Sequence, residues 1–464
     1  MFLTQVGDTV AMTKRTPKAR VLGEPEKSRL LDTDVGAFLA FLTVVVVGIW
    51  AHHGGFNNLG LSATNTATSL DQITGLLASE SGILGLILIT RTPMLERRYG
   101  LDRMFNWHRV LGVSLSIFLL LHVVFSVWAW STPGGLFAAV KSLTGGESYM
   151  AMATVGAVLV GVVTISSLRS IRNSMTYETW YFIHLIAYIG LAISFSHQIT
   201  LGADFSNDKL ARWSWIGLHV VVVLWIIWSR WRTLILSILH PYKVTAVAHP
   251  ADGLVAVTLN SPVISRHRAH AGQFYMLRQL MPGRWWKTNP FSLSSVPSSA
   301  GLRFTIKSRG ESSDAMTKIK VGTKVAIEGP YGVCTPEIIG DEPVLMVAGG
   351  VGIGPIVSLA ENLSPHHKPI IVYRARTQKE MVHVEEIDAL MKKLGGQLFT
   401  VIGPRAALKV SDPFAADVLR KSVPDIAERV VIVAGPETLI KAVQKGARKA
   451  GVPTDRIHAE RAWW

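Results

Sequence analysis

Six apolar stretches crowd the first half of the chain, at residues 35–52, 72–90, 107–130, 150–168, 179–199 and 213–236. Each is long enough, or nearly so, to cross a hydrocarbon core about 30 Å thick as an α-helix. A segment in that medium must satisfy its own backbone N–H and C=O groups, so these residues dictate a bundle of membrane helices. The second half is built differently. Residues 1–240 hold 18 Lys and Arg with 13 Asp and Glu, whereas the shorter stretch 241–464 holds 29 and 19. A membrane half is followed by a water-soluble half, and with 49% hydrophobic residues neither half is disordered.

The net charge of +15 invites a nucleic-acid reading, but the positions of the basic residues have a better explanation. Six lie in the N-terminal tail (Lys14, Arg15, Lys18, Arg20, Lys27, Arg29) and five in the 91–109 connection (Arg91, Arg97, Arg98, Arg103, Arg109). Arg169 and Arg172 occupy the fourth connection, and Arg230 and Arg232 the exit from the last stretch. These 15 share one side of the bundle, against Lys141, Lys209 and Arg212 on the other. The crowded side is expected to be cytoplasmic, with both termini inside and the bundle in the plasma membrane. No apolar core with a small-residue cleavage site opens the chain, so no signal peptide is expected. The single cysteine, Cys334, excludes an intrachain disulfide, a four-cysteine zinc site, an iron–sulfur cluster and a thioether-linked haem.

Histidines supply the chemistry of the membrane half. The third stretch carries His108 and His122, 14 residues apart, and the fifth carries His184 and His197, 13 apart. At 1.5 Å per residue each pair is separated by about 20 Å along its helix. Chain direction puts His108 and His184 near the cytoplasmic surface, with His122 and His197 near the outer one. Two layers of facing imidazoles result, each suited to grip one haem iron from both sides. The plainer alternative is four packing histidines, each hydrogen-bonded to a neighbour. Fourteen steps of 100° return to within about 40° of the starting face, but 13 miss it by about 140°. The fifth helix must therefore bend, carry a π-bulge, or present its rings from different sides. His52, His53 and His219 have no such partners in the sequence and read as interfacial or packing residues. Glu80 lies near the middle of the second stretch. It is either a functional intramembrane carboxylate or, if the span starts later, an interfacial one.

After His240-Pro241 the pattern changes to short β-branched runs, the signature of antiparallel strands in a small barrel. Within it lies Asn289-Pro290-Phe291-Ser292-Leu293-Ser294-Ser295. Further on, Gly310, Ser312 and Ser313 precede a short amphipathic helix whose free N–H groups suit a pyrophosphate, although such loops often just cap a helix. From 343 the pattern becomes strand–loop–helix. A buried strand leads into Gly349, Gly350, Gly352, Gly354 and Pro355, where a phosphate-bearing ligand can approach the backbone. The next strand ends in Arg374 and Arg376, which favour a 2′-phosphate over a ribose diol unless they form a solvated strand end. A later strand ends in the glycine turn Gly435-Pro436, consistent with a doubly wound sheet.

Together, the histidine pairs, NPFSLSS, GGVGIGP, AGPETL and the terminal HAERAWW resemble the NADPH oxidase/ferric reductase superfamily over about residues 35–464. The resemblance implies a multi-domain membrane protein. It comprises a cytoplasmic basic tail (1–34), a six-helix transmembrane haem bundle (35–240), an antiparallel β-barrel FAD domain (241–338) and a doubly wound α/β NAD(P) domain (339–464). It implies two b-type haems held by His108, His122, His184 and His197, together with FAD and NADPH. Ser292 is expected beside the flavin ring with Asn289, Pro290 and Phe291, and the 310–313 turn on its pyrophosphate. Gly349–Pro355 and Gly435-Pro436 are expected on the nicotinamide nucleotide. Trp463 and Trp464 are expected either over the flavin face or as a membrane anchor. Three positions depart from the family pattern. Asn289 stands where His or Arg is usual, Ala434 where cysteine is usual, and Ala462 where Phe is common.

The functional expectation is a flavohaem oxidoreductase that carries electrons outward from cytoplasmic NADPH to a small-molecule acceptor, dioxygen or a ferric chelate. One alternative is a haem–flavin conduit to a quinone or a partner protein. Another is a nucleotide-binding transporter or sensor without redox turnover.

Overall fold

The computed structural model describes residues 4–5, 32–145, 148–404, 408 and 412–461. The chain forms two compact units, one of residues 29–230 and one of residues 231–464 together with 1–28.

In the first unit the apolar stretches become helices α1 (Asp32–His52), α2 (Ala63–Ile89), α3 (Pro93–Gly145), α4 (Ser148–Ser167), α5 (Tyr177–Thr200) and α6 (Lys209–Leu239), the last of which runs on into the second unit. Five are long and apolar enough to cross a membrane, from α2 to α6. Helix α1, 21 residues long, covers the first of the expected stretches. Its run is cut off by His52 and His53, and Gly54 then turns the chain at φ 84°. Conversely, α2 begins nine residues before its apolar run. Ser62 accepts the N–H of Asn65 at 3.0 Å and caps a polar first turn. Gly100 and Gly135, at φ 71° and 80°, interrupt α3 on either side of its apolar middle. Packing of α4 on α5 depends on glycine: a Cβ at Gly156 would stand 2.7 Å from Gly190 O. Such backbone-to-backbone approach is how membrane helices gain contact without a hydrophobic driving force.

The second unit holds two sheets. The first comprises β1 (Tyr242–Ala251), β2 (Leu254–Asn260), β3 (Phe274–Gln279), β4 (Asn289–Ser292), β5 (Leu302–Lys307) and β6 (Lys324–Tyr331). It is antiparallel in the order β4-β3-β6-β1-β2-β5, and Leu293 bridges to Phe304 beyond β4. Pro290 is tolerated in β4 because β4 ends the ladder, where a missing N–H costs no bond. Tyr275, Phe304, Leu277 and Ile306 fill the core with no exposed surface, each worth about 1.5–3 kcal/mol of burial.

The second sheet is parallel: β7 (Val344–Gly349), β8 (Ile370–Ala375), β9 (Gln397–Ile402), β10 (Val430–Gly435) and β11 (Ile457–Arg461). Its order is β9-β8-β7-β10-β11, with Thr4–Gln5 antiparallel beside β9. Apolar cores cover both faces. The chain winds outward from β7 to β9 and then returns to β7's other edge as β10. The β7/β10 boundary is therefore a topological switch point, where open α/β sheets bind ligands beyond the strand ends.

Candidate functional site

In the membrane unit, α3 and α5 bring the four histidines into two facing pairs. The His108 and His184 ring centroids are 6.0 Å apart, and those of His122 and His197 are 6.2 Å apart. Helix α5 carries no π turn between Tyr177 and Thr200, which removes the π-bulge from the three expected ways of bringing both rings to α3.

Helix α2 orients the rings carried by α3. Gly85 O accepts from His108 Nδ1 at 3.0 Å, and Asp71 O accepts from His122 Nδ1 at 3.0 Å. The Asp71 carboxylate stands 2.8 Å from that same nitrogen and also accepts from Ser126 Oγ. Anchoring Nδ1–H leaves Nε2 as the lone-pair nitrogen, the arrangement typical of metal-bound histidine. Glycine on α2 makes the approach possible: a Cβ at Gly75 would press to 2.9 Å from the His122 ring. On α5, His184 Nδ1 is buried and has no hydrogen-bond partner among the described residues.

These residues fit haem. Two imidazoles bound to opposite sides of one iron at about 2 Å, with roughly 1.1 Å from nitrogen to ring centre, place their centroids about 6.2 Å apart. Both pairs stand at that spacing. Four imidazoles in apolar helices, with no thiol among them, are a donor set that two b-type haems could take. Asp71 escaped the sequence reading because the second span was taken to start at 72. Its signal was the one that singled out Glu80, an acid inside a long helix. Glu80 itself lies well within α2, buried, and accepts from Thr43 Oγ1 at 2.6 Å. Leu42, Val46, Ile83 and Trp215 surround it in an apolar cleft between α1, α2 and α6.

In the second unit, one open cleft gathers six of the expected nucleotide residues. Pro290, Phe291 and Ser292 form one wall, Val351, Gly352 and Pro355 a second, and Ala434 with Gly435 a third. The glycines are there because two βα loops touch. A Cβ at Gly352 would stand 2.3 Å from Ala434 O, and one at Gly435, itself at φ 148°, would stand 3.1 Å from Gly349 Cα. Gly350 takes φ 55°, while a Cβ at Gly354 would meet only ordinary contacts. The Gly349–Pro355 and Gly435-Pro436 loops thus lie side by side at the switch point.

Hydrogen bonds clamp the two sheets about this cleft. Ser358 Oγ donates to Ser295 O at 2.8 Å and accepts from Gly272 N at 3.2 Å. Lys307 Nζ stands 2.9 Å from Glu380, and that bond holds the Glu380 carboxyl below its usual range. Arg303 donates to Glu386 at 2.7 Å. Thr305 and Lys307 also line the cleft, with Glu460 and Arg461 of β11. Sequence reasoning assigned none of these four to the site: Glu460 and Arg461 stand within the terminal HAERAWW, and the signal of Thr305 and Lys307 is only that they share one face of β5.

Other expected residues sit elsewhere or are already engaged. Gly310 precedes helix α7 (Glu311–Thr317) in extended backbone, and Ser313 Oγ accepts from Arg309 N and donates to Gly310 O, closing the turn on itself. The Ser312 side chain, Trp463 and Trp464 lie outside the described residues. Asn289 pairs with Leu277 across β3 and β4.

Arg374 donates to the carbonyls of Ala375, Val401 and Gly403, so its guanidinium ties β8 to β9. Burial, aided by the Arg376 charge, pulls its pKa below the usual arginine value. Of the two arginines Arg376 is the exposed one, so a 2′-phosphate, if bound, is expected to meet Arg376. Charged hydrogen bonds are worth about 1.5–3 kcal/mol. Arg376→Ala is expected to lower the NADPH/NADH ratio of kcat/KM by roughly ten-fold or more, with Arg374→Ala lowering Tm instead. Steady-state kinetics with both nucleotides checks this; an unchanged ratio in Arg376→Ala refutes it.

Residues 74–195 match the family described as ferric reductase like transmembrane component, and residues 346–445 match the oxidoreductase NAD-binding domain. The chain therefore carries a ferric reductase-like transmembrane domain followed by an oxidoreductase NAD-binding module, with the histidine pairs in or at the edge of the first and the glycine loops in the second. Among known proteins, the propane 2-monooxygenase reductase component of Rhodococcus jostii (strain RHA1) is 30% identical over 149 residues, 30% of this chain and 40% of that one. The flavohemoprotein of Xylella fastidiosa (strain 9a5c) is 25% identical over 246 residues, 50% of this chain and 59% of that one. A ferredoxin reductase in carbazole 1,9a-dioxygenase aligns with a TM-score of 0.41 at 21% identity, covering 48% of this chain and 69% of that one. The chain spans about half the length of the curated relatives it matches.

Proposed function

We propose that this chain is a transmembrane flavohaem oxidoreductase that carries electrons from cytoplasmic NADPH, by way of FAD and two b-type haems, to dioxygen or a ferric chelate outside. The observation that carries the reading is the pair of haem-spaced imidazole couples within one membrane unit, in a chain that also holds an NAD-binding module. In this reading α1 acts as a sixth, short span, and the cytoplasmic side is the one crowded with basic residues. His108 and His184 hold the inner haem, and His122 and His197 the outer one. Bound flavin and haem supply the hydride-accepting and one-electron chemistry that side chains lack.

The protein's own residues bind and orient. Asp71 and Gly85 fix the α3 rings in one tautomer, so that each presents its lone pair without searching. Pro290, Phe291 and Ser292 offer a flavin a flat apolar wall with one hydroxyl. The two touching glycine loops expose backbone N–H groups to a nucleotide phosphate. Ser358 and Lys307 clamp the two sheets about this cleft, so its residues would hold a flavin and a nicotinamide without a domain having to close.

NADPH consumption measured with dioxygen, a ferric chelate and a quinone in turn tests the acceptor. Turnover with oxygen or the chelate is expected. Turnover with quinone alone assigns the conduit role instead, and a purified protein with no haem absorbance overturns the reading.

A further inference from the structure

We propose that the membrane unit holds a further metal site, for a divalent first-row transition cation, where α1 stops and α6 begins. Its donors are His52, His53 and Asp208, with Asp204 as a buried carboxylate beside them. Ligand atoms from the three donors all lie within 4.8 Å of one another. In sequence Asp208 lies 155 or more residues from the two adjacent histidines, which is why they read as interfacial or packing residues there.

Two of the three donors are already oriented. His53 Nδ1 donates to Ile49 O at 2.8 Å, leaving Nε2 as the lone-pair nitrogen. That Nε2 stands 3.5 Å from Asp208 Oδ2. The distance is long for a hydrogen bond, but two donors on a tetrahedral cation, each at about 2.1 Å, stand about 3.4 Å apart. Asp208 caps α6: its Oδ1 accepts from Leu210 N at 2.8 Å and Ala211 N at 3.0 Å, which holds Oδ2 toward the histidines. His52 is exposed at the rim and offers the entering ion its first contact.

Asp204 points to a ligand independently. It is 3% exposed, and its Oδ1 is buried without a hydrogen-bond partner among the described residues. The same oxygen is 3.6 Å from His53 Nδ1. A carboxylate buried in this way is destabilising unless positive charge lies close by. A divalent ion on His53 and Asp208 supplies it.

Two imidazoles and a carboxylate suit Zn²⁺, Fe²⁺, Ni²⁺ or Cu²⁺, whereas Mg²⁺ prefers an all-oxygen shell. The bound ion would tie the end of α1 to the α5–α6 connection. That is the end of the bundle holding the His122–His197 pair, since His197 lies in the last turn of α5. The site draws on residues of the membrane unit alone and stands whether or not the electron-transfer reading holds.

The test uses the tag-free, haem-loaded full chain in detergent, titrated calorimetrically with ZnCl₂ and, in parallel, with MgCl₂. One Zn²⁺ per chain is expected, with no Mg²⁺ binding. His52→Gln and Asp208→Asn should each weaken Zn²⁺ by about tenfold or more while the haem spectrum stays unchanged. Asn keeps the helix cap, and His52 is exposed, so neither change removes a folding contact. Absence of Zn²⁺ binding to the wild type, or equal binding by wild type and both variants, overturns the site.

Discussion

His122→Ala and His197→Ala should each purify with one haem per chain instead of two, and His108→Ala and His184→Ala should each lose the other haem. The expectation follows from the two facing couples. Each iron would depend on two imidazoles whose centroids stand 6.0 Å or 6.2 Å apart, and truncating one leaves a methyl group too short to reach. No thiolate can substitute, because Cys334, the chain's one cysteine, lies outside the membrane unit and is fully buried. Asp71→Asn is the informative control. It removes the carboxylate 2.8 Å from His122 but leaves the Asp71 carbonyl on the same nitrogen, so both haems should remain. Haem-to-protein ratios and the low-spin spectrum decide. If His122→Ala and His197→Ala keep both haems and the wild-type spectrum, the ligand assignment is wrong.

How much of this was legible in the sequence depends on how local each signal is. The histidine couples were legible because each pair is written on one helix, and helical rise converts 13 or 14 residues into depth. Glycine loops were legible for a related reason: a strand, a turn and a helix follow one another in the chain. What escaped depends on contacts between distant segments. Asp71 meets His122 across 51 residues, and nothing in the span around either residue names the other. His53 reaches Asp208 only after four helices have folded back. Arg374 was misjudged for the opposite reason. Its position at a strand end is right for a nucleotide phosphate, but three strand-end carbonyls claim the guanidinium first. Helix bounds were less legible, because hydropathy sees apolar length. It does not see the Ser62 cap that lengthens α2.

In sealed vesicles bearing the protein in one orientation, NADPH added on the soluble-module side should reduce a membrane-impermeant acceptor trapped on the other side, and should generate a voltage. The expectation starts from charge. With six spans, 15 of the 18 basic residues in residues 1–240 are expected on one side of the bundle, the side on which the last span ends. In the proposed reading NADPH would then be oxidised in the cytoplasm. The two histidine layers are separated by about 20 Å along their helices, most of the thickness of a hydrocarbon core. One relay between the layers therefore carries charge across nearly the whole membrane. With the inside negative, moving an electron outward is favoured by about 2.3 kcal/mol per 100 mV. The same movement depolarises the membrane, so sustained turnover requires a compensating cation. Glu80 is the residue we assign to that proton route. It sits inside α2 in an otherwise apolar cleft, held by Thr43 at 2.6 Å, and no packing role requires a carboxylate there. Glu80→Gln should leave the first turnovers intact and slow the later ones, and an added protonophore should restore the rate because it carries the compensating charge in the residue's place; a slow rate that persists with the protonophore would refute the assignment. Reduction that occurs only when acceptor and NADPH share a compartment would mean that no transmembrane relay exists.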